Sequence, residues 1–421
     1  MAAHRSAVYF VVAGLNSFST VLFFYYFYFF AREAFGFDDA RNLWLAALQG
    51  GVYAVGSWMG GRAAERWGYR RGLMAGLALM AAAWTAGIRA EGAVWHIGLL
   101  VVATLGMSCT WPALEALVTE GQDRSGMHRS VGVYNLVWAG TGALAYFTGG
   151  AVLEWLGMRA LHLVPLAIVC SELVLLVLAK PPHRPAQPEA QTGSLPSWKT
   201  DHPQARRFLL MAWLANPLAY MAIQTLIAVM PGVTTRLGLS TTWAGMCASI
   251  WCFARLGAFA LLGQWAGWHY RFGWLAAGYA TLTTCFALIL LAPSTLVLIL
   301  AQIGFGLALG LIYSSSLFYS MDAGPARGQH GGIHEAAIGL GNMSGPLIGA
   351  LALQWGPQTP RSDTIAITCL LVAGGWILWK MRPDEPAPGL SGNKPSFGHS
   401  KGRGLSRPPA RGSRAGSSDQ C

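Results

Sequence analysis

Gly61-Arg62-Ala63-Ala64-Glu65-Arg66-Trp67-Gly68-Tyr69-Arg70-Arg71 crowds five charges into a short stretch of an otherwise apolar neighbourhood. An apolar run, 42–61, leads into it, and another, 72–89, leads out. A helix needs about 20 mostly apolar residues to cross a bilayer. Two such runs joined by a charged turn read as a pair of membrane helices with the turn in water.

The same alternation runs along most of the chain. Apolar runs at 7–31, 42–61, 72–89, 94–118, 130–156, 160–179, 208–232, 242–266, 273–292, 295–320, 331–355 and 363–381 predict twelve spans. Composition agrees. Of 421 residues, 54% are apolar and 11% charged, against about 25% charged in a soluble globular protein. So few charges cannot coat a soluble chain of this size. The run 7–31 is too long for a cleaved leader and is read as the first span. Six cysteines lie inside apolar runs, and Cys247 and Cys252 lack a CxxC spacing, so neither a disulfide framework nor a metal site is expected.

Lys180–Arg207, rich in Pro, Gln and charge, divides the spans six and six. The expected organisation is a first six-helix half at 1–180, a linker at 181–207, a second half at 208–381 and a disordered basic tail at 382–421. With the N-terminus inside, 22 Lys and Arg residues fall on the inner side and six on the outer. The positive-inside rule then puts both termini in the cytoplasm. The net charge of +11 is explained by these loops and the tail, so no nucleic-acid partner is expected.

The halves repeat. A shift of 199 residues superposes Gly132 on Gly331, Gly140 on Gly339, Gly142 on Gly341, Gly150 on Gly349 and Gly157 on Gly356. Two parallel halves imply a binding site between them near the bilayer midplane. Gly142, Gly150, Gly341, Gly345 and Gly349, with Pro346 as a bend, form the expected packing faces, since small residues let helices approach closely in lipid.

The opening loop resembles the signature loop of the major facilitator superfamily: glycine, three residues, an acid, Arg, one residue, Gly, then basic residues, between spans 2 and 3. The resemblance covers about residues 1–381. It departs at Glu65, where Asp is usual, and at Tyr69, a usually basic position. In the second half, Gly263 and Arg271 are kept, but Gly267 stands where the acid would be. The resemblance implies an all-α membrane protein of two six-helix halves. It also implies a cytoplasmic gate from Gly61, Glu65, Arg66, Gly68, Arg70 and Glu120. Glu65 would hold the start of span 11 near Gly331, where the helix dipole is positive. Arg66 and Arg70 would pair with Glu120 or Asp123.

Spans 1, 4, 7 and 10 line the cavity in that superfamily. Span 7 carries Asn216, Tyr220 and Gln224 at i, i+4 and i+8. Asn16 and Thr20 lie on span 1, and Gln302 and Tyr313 on span 10. Ser108, Trp111 and Glu115 share one face of span 4. The expected cavity residues are Asn16, Trp111, Asn216, Tyr220, Gln224, Gln302 and Tyr313. Ionisable residues in spans are costly and usually functional. An acid in an apolar wall can exchange a proton, so Glu115 is the expected coupling residue, with a structural ion pair as its rival role. Arg255 holds an anionic group or pairs with an acid of its own half. Span 6 usually faces outward in that superfamily, and its Glu172 is read as making a packing hydrogen bond or as protonated; Glu335 is expected to serve the N-terminus of span 11, with His334 beside it as a titrating switch. The ring-rich run Phe23–Phe30 reads as an interfacial belt, and His96 and His162 as interfacial. No phosphate loop and no HExxH stand in the chain.

The sequence thus predicts a secondary transporter, not an enzyme, working by alternating access and coupled to protons. Its expected partners are a small solute, protons and the lipid bilayer, its expected state a monomer and its membrane the plasma membrane, as in a bacterial inner membrane. No cofactor is expected. The rival reading is a receptor or scaffold on the same fold, using the basic tail.

Overall fold

A computed structural model describes residues 2–122, 124–179, 203–322, 329–356, 359 and 361–383. Most of the linker, all of the tail from residue 384, and Asp123 lie outside the described residues. The described chain is twelve helices: α1 (Ala2–Phe35), α2 (Asp39–Trp67), α3 (Tyr69–Gly87), α4 (Ala93–Thr119), α5 (Arg124–Leu156), α6 (Ala160–Leu178), α7 (Ala205–Arg236), α8 (Thr241–Leu262), α9 (Phe272–Leu290), α10 (Thr295–Asp322), α11 (Gln329–Trp355) and α12 (Ser362–Lys380).

Ten of the helices are long and apolar enough to cross a membrane, so this is an integral membrane protein. The sequence reading counted twelve spans; α2 and α3 are the two that fall short. α2 carries Asp39, Arg41, Arg62, Glu65 and Arg66, and α3 opens on Arg70 and Arg71. Protein covers them: α2 packs on α11 and α4, and α3 on α4 and α6.

The single residue Gly68 separates α2 from α3. Its φ of 96° and ψ of 136° lie where a side chain clashes with the backbone, so glycine there is a requirement of the turn. Opposite, Asp38 caps α2 by accepting from the Arg41 amide, and Ser240 caps α8 at Trp243. The helices alternate in direction. One face of the molecule holds the α2–α3 turn, and we call it the Glu65 face. The other holds the α1–α2 turn and is called the Asp39 face.

The two halves meet mainly through α2 against α11 and α5 against α8. The glycine repeat supports this arrangement. A Cβ at Gly142 would stand 3.1 Å from Ser17 Oγ on α1, and one at Gly341 would stand 2.3 Å from the Pro217 carbonyl oxygen on α7. Each glycine therefore seats the fifth helix of its half on the first. Eight residues on, the pair faces the other half: Gly150 meets Thr241 on α8 at 2.3 Å, and Gly349 meets Leu43 on α2 at 3.3 Å. Gly345 closes on Met221 of α7 at 2.5 Å, one residue before Pro346 within α11.

Candidate functional site

The Asp39 face is closed by contacts between the halves. Glu154, at the end of α5, accepts from the Thr242 amide at 2.9 Å and from the Thr242 hydroxyl at 2.6 Å. It thus satisfies free donors of the α8 N-terminus, where a negative charge is also favoured by the helix dipole. Trp44 donates to Gln354 at 3.2 Å, joining α2 to α11. Asp39 is salt-bridged to Arg32 at 2.9 Å, and a Cβ at Gly232 of α7 would stand 2.2 Å from its carboxylate. Below this, Tyr28 donates to Gln49 Oε1 at 2.6 Å, while Gln224 Nε2 donates to both, at 2.9 and 3.1 Å. All three side chains are buried. This triangle ties α1 and α2 to α7. Gln224, expected in the cavity, is therefore part of the seal in this state. Tyr28 and Gln49 are site residues that sequence reasoning did not single out.

Nearer the Glu65 face stands a cluster of rings and charges contributed by both halves, called the chamber below. Glu115 is half-buried on α4. Across from it stands Glu335 of α11, buried, which accepts from the Tyr53 hydroxyl at 2.5 Å. The helices that carry them, α4 and α11, are in contact although they belong to different halves. Trp111 stands edge-on to Tyr134 and to Trp138, at 6.5 and 6.4 Å between ring centres. Trp138 continues the line to Tyr313 at 5.8 Å and Phe259 at 6.0 Å. Tyr220 and Leu256 pack against the same small cluster. The wall thus draws rings from α4, α5, α7, α8 and α10.

Arg255 enters this wall from α8. Its guanidinium carbon lies 4.7 Å from the Trp138 ring centre and 4.8 Å from that of Trp251. Such stacking is favourable for a delocalised cation. No carboxylate meets it: among the described residues the sole ion pair is Arg32–Asp39. Its Nε is buried without a hydrogen-bond partner. An intrahalf ion pair, one of the two roles open to Arg255 from the sequence, is therefore absent here.

The other expected cavity residues divide. Trp111, Tyr220 and Tyr313 line the chamber. Asn16 is buried and donates to Thr110 Oγ1 at 3.3 Å, joining α1 to α4. Asn216 and Gln302 are buried, and the Asn216 Oδ1 and both amide atoms of Gln302 lack a partner among the described residues. Ser108 turns from Trp111 and Glu115 toward α2, where a Cβ at Gly56 would meet its Oγ at 2.4 Å. Tyr53, Tyr134 and Trp138 were missed. Tyrosine and tryptophan in a span read like interfacial anchors, and only the i, i+4 spacing of Tyr134 and Trp138 on the repeat helix could have flagged them.

Three sequence expectations are corrected. The run Phe23–Phe30 is no interfacial belt: every one of its residues is buried in the core. Glu172, on a span expected to face outward, turns inward and is buried. His96 and His162 are likewise buried, their rings 5.6 Å apart beside Phe30. In each case neighbouring helices cover a surface that an isolated helix would show to lipid or headgroups.

Among the described residues the signature loop forms no contact that would make a latch; Asp123 and the residues just before span 11 lie outside them. Gly61 is buried, but Glu65, Arg66 and Glu120 are exposed, and among the described residues none has a hydrogen bond or ion pair. Arg70 donates instead to the carbonyls of Leu176 and, at 2.9 Å, Ala179, fastening the loop to the end of α6 within its own half. The described side chains do not include His334 or Asp123.

A family model described as Major Facilitator Superfamily matches residues 9–329. No curated protein sequence matches the chain. Among solved structures, the nucleoside transporter NupG is similar at a TM-score of 0.66 and 11% identity, over 90% of this chain and 98% of that one. A point mutant of NupG gives 0.66 and 12%, over 90% and 100%. The human organic anion transporter MFSD10 (TETRAN) gives 0.63 and 14%, over 89% and 99%. These likenesses are likenesses of fold.

Proposed function

Since the chain belongs to the Major Facilitator Superfamily, we propose that it is a secondary transporter moving a small solute by alternating access between its two six-helix halves. The observation that carries this reading is the asymmetry along the contact between the halves. The Asp39 face is closed by Glu154–Thr242, Trp44–Gln354 and the Tyr28–Gln49–Gln224 triangle. Among the described residues, no hydrogen bond or ion pair of the Glu65 loop reaches the other half. A chamber closed on one side, holding ionisable groups that no ion pair among the described residues neutralises, is what one half of a transport cycle requires. The other half would reverse the closure. Orientation by Lys and Arg makes the Glu65 face cytoplasmic, so the closure described is the outer one.

Coupling to protons rests on Glu115 and Glu335. Two acids from different halves in one chamber favour a state in which one of them carries a proton. Binding or loss of that proton would change how closely α4 and α11 can approach. The structural neighbours carry a nucleoside and an organic anion on the same fold, so the fold does not choose the solute.

The test is accessibility from both faces. Cys247 and Cys252 lie on α8, which packs on α5 across the two halves, and are buried. In a background lacking the other cysteines, they should label from the Asp39 face only when that side opens. A cysteine at Trp111 should label from the Glu65 face when the Asp39 side is shut. Reciprocal labelling supports alternating access, and a fixed pattern under every gradient overturns it. Glu115→Gln should abolish accumulation driven by a pH gradient in proteoliposomes. Full accumulation would remove Glu115 from coupling. Truncation before Arg382 should leave flux intact, whereas a scaffold acting through its tail would lose its role.

A further inference from the structure

Resting on the transport reading of this chamber, we infer that its solute is a zwitterion with a flat apolar body: an ammonium group at one end, a carboxylate at the other, rings between. Three independent features point to it.

The first is the positive pole. Arg255 is 8% exposed, and its buried Nε has no partner. Stacking on Trp138 and Trp251 holds the plane of the guanidinium but leaves its N–H edge without an acceptor. A buried cation without an anion is among the costliest arrangements a protein can keep. An incoming carboxylate is a fitting acceptor, because the guanidinium offers a planar fork.

The second is the negative pole. Glu115 has no hydrogen bond to its carboxylate among the described residues, and no Lys, Arg or His pairs with it. Glu335 has only the Tyr53 hydroxyl. One acid can carry the exchangeable proton while the other meets an ammonium.

The third is what separates the poles. Arg255 stacks on Trp138 at 4.7 Å, and Trp111, four residues before Glu115 on α4, stands edge-on to that same ring at 6.4 Å, so rings lie between the poles. Trp138, Phe259 and Tyr313 add a wall of rings, with 5.5–6.0 Å between centres. Such a wall favours a flat body and offers ring faces to an ammonium. An anion alone would leave the two acids unmatched, and a cation alone would leave Arg255 unmatched.

The experiment uses the purified full-length chain in mild detergent and thermal-shift titration. The probes are L-phenylalanine and L-tryptophan, each beside its methyl ester, which is only cationic, and its N-acetyl form, which is only anionic. The zwitterions should bind at least about tenfold tighter than either derivative, the loss expected when one charged hydrogen-bonded end is removed. Arg255→Gln should erase the advantage over the ester, and Glu115→Gln the advantage over the N-acetyl form. Arg255→Lys and Glu115→Asp, which keep the charges, should retain part of each and guard against misfolding. Equal or tighter binding of a singly charged form, or binding of none of the probes by the folded protein, overturns the inference. The cysteine reporters judge transport separately. If they alternate while the zwitterions fail, only the substrate class falls. If zwitterions bind while the labelling stays fixed, it is the transport reading that falls.

Discussion

The Tyr53 hydroxyl donates to Glu335 at 2.5 Å, so among the described residues a buried acid of the second half has its one hydrogen-bond partner on α2 of the first. The bond crosses between the halves at the floor of the chamber, beside Gly339 and Ala54, where the backbones all but touch. It makes the state of Glu335 and the spacing of the halves one variable. Tyr53→Phe keeps the ring and removes only the donor. It should cost about 1.5–3 kcal/mol, the range for a hydrogen bond to a charged group. Glu335→Gln should be affected less by the same change. A double-mutant cycle on thermal stability checks this, and additivity within about 0.5 kcal/mol would deny the coupling.

Close approach on α2 and α11 is the second test. A Cβ at Gly50 would stand 2.4 Å from the backbone at Asn342 and Met343, which no side chain can yield to. Gly50→Ala should therefore part the helices, at about 1–3 kcal/mol as for overpacking elsewhere. Because the strain exists only while the Asp39 face is shut, Cys247 should label faster from that face. Gly98→Ala is the control, since nothing lies within 4 Å of its added Cβ. Equal labelling in both variants would mean that the α2–α11 contact is not part of the closure.

How much of this could be read from the chain follows from where its polar residues stand. The twelve helices are legible because charge is concentrated at helix ends and turns, as in Gly61–Arg71, and because Gly68 permits the α2–α3 corner. The glycine repeat is legible because one packing problem is solved twice, by Gly142 and Gly341 and again by Gly150 and Gly349. The rotation of a helix about its own axis is a different matter. Phe23–Phe30 is apolar all round, so no polar face says which side meets protein. Tyr28 and Gln49 escaped notice because a seal needs only one hydrogen bond from each helix, and single polar residues in a span look alike. Gln224 was found as a polar residue but belongs to the seal. Trp111 and Glu115, four apart, were found together because a stripe fixes a face.

Glu154 offers a third test. Its carboxylate caps α8 from the far half, at the exposed rim of the Asp39 face. Glu154→Ala should loosen that rim and speed labelling of Cys247 and Cys252. Glu154→Gln keeps an oxygen that can accept from the Thr242 amide but loses the charge that favours a helix N-terminus. It should fall between wild type and alanine, and less so at high salt. Identical behaviour of the two variants would place the effect in packing alone.

The last test concerns the loop whose acid the family resemblance makes a latch. Here Glu65 is exposed and, among the described residues, without a partner, in a state already closed at the opposite face. A latch at the Glu65 face can therefore act only when that closure is undone. Glu65→Ala should leave the Asp39-closed state unstrained and weaken its alternative. An acid at a helix N-terminus contributes about 0.3–1 kcal/mol, so the population should shift roughly two- to fivefold. The sign is specific: a cysteine at Trp111 should label faster from the Glu65 face, and Cys247 slower from the Asp39 face. Glu65→Asp, which restores the acid usual in the family, should shift the balance the other way or leave it. If Glu65→Ala changes neither rate, the loop is a solvated turn, and the cytoplasmic gate must be sought among other residues of α2, α4 and α11.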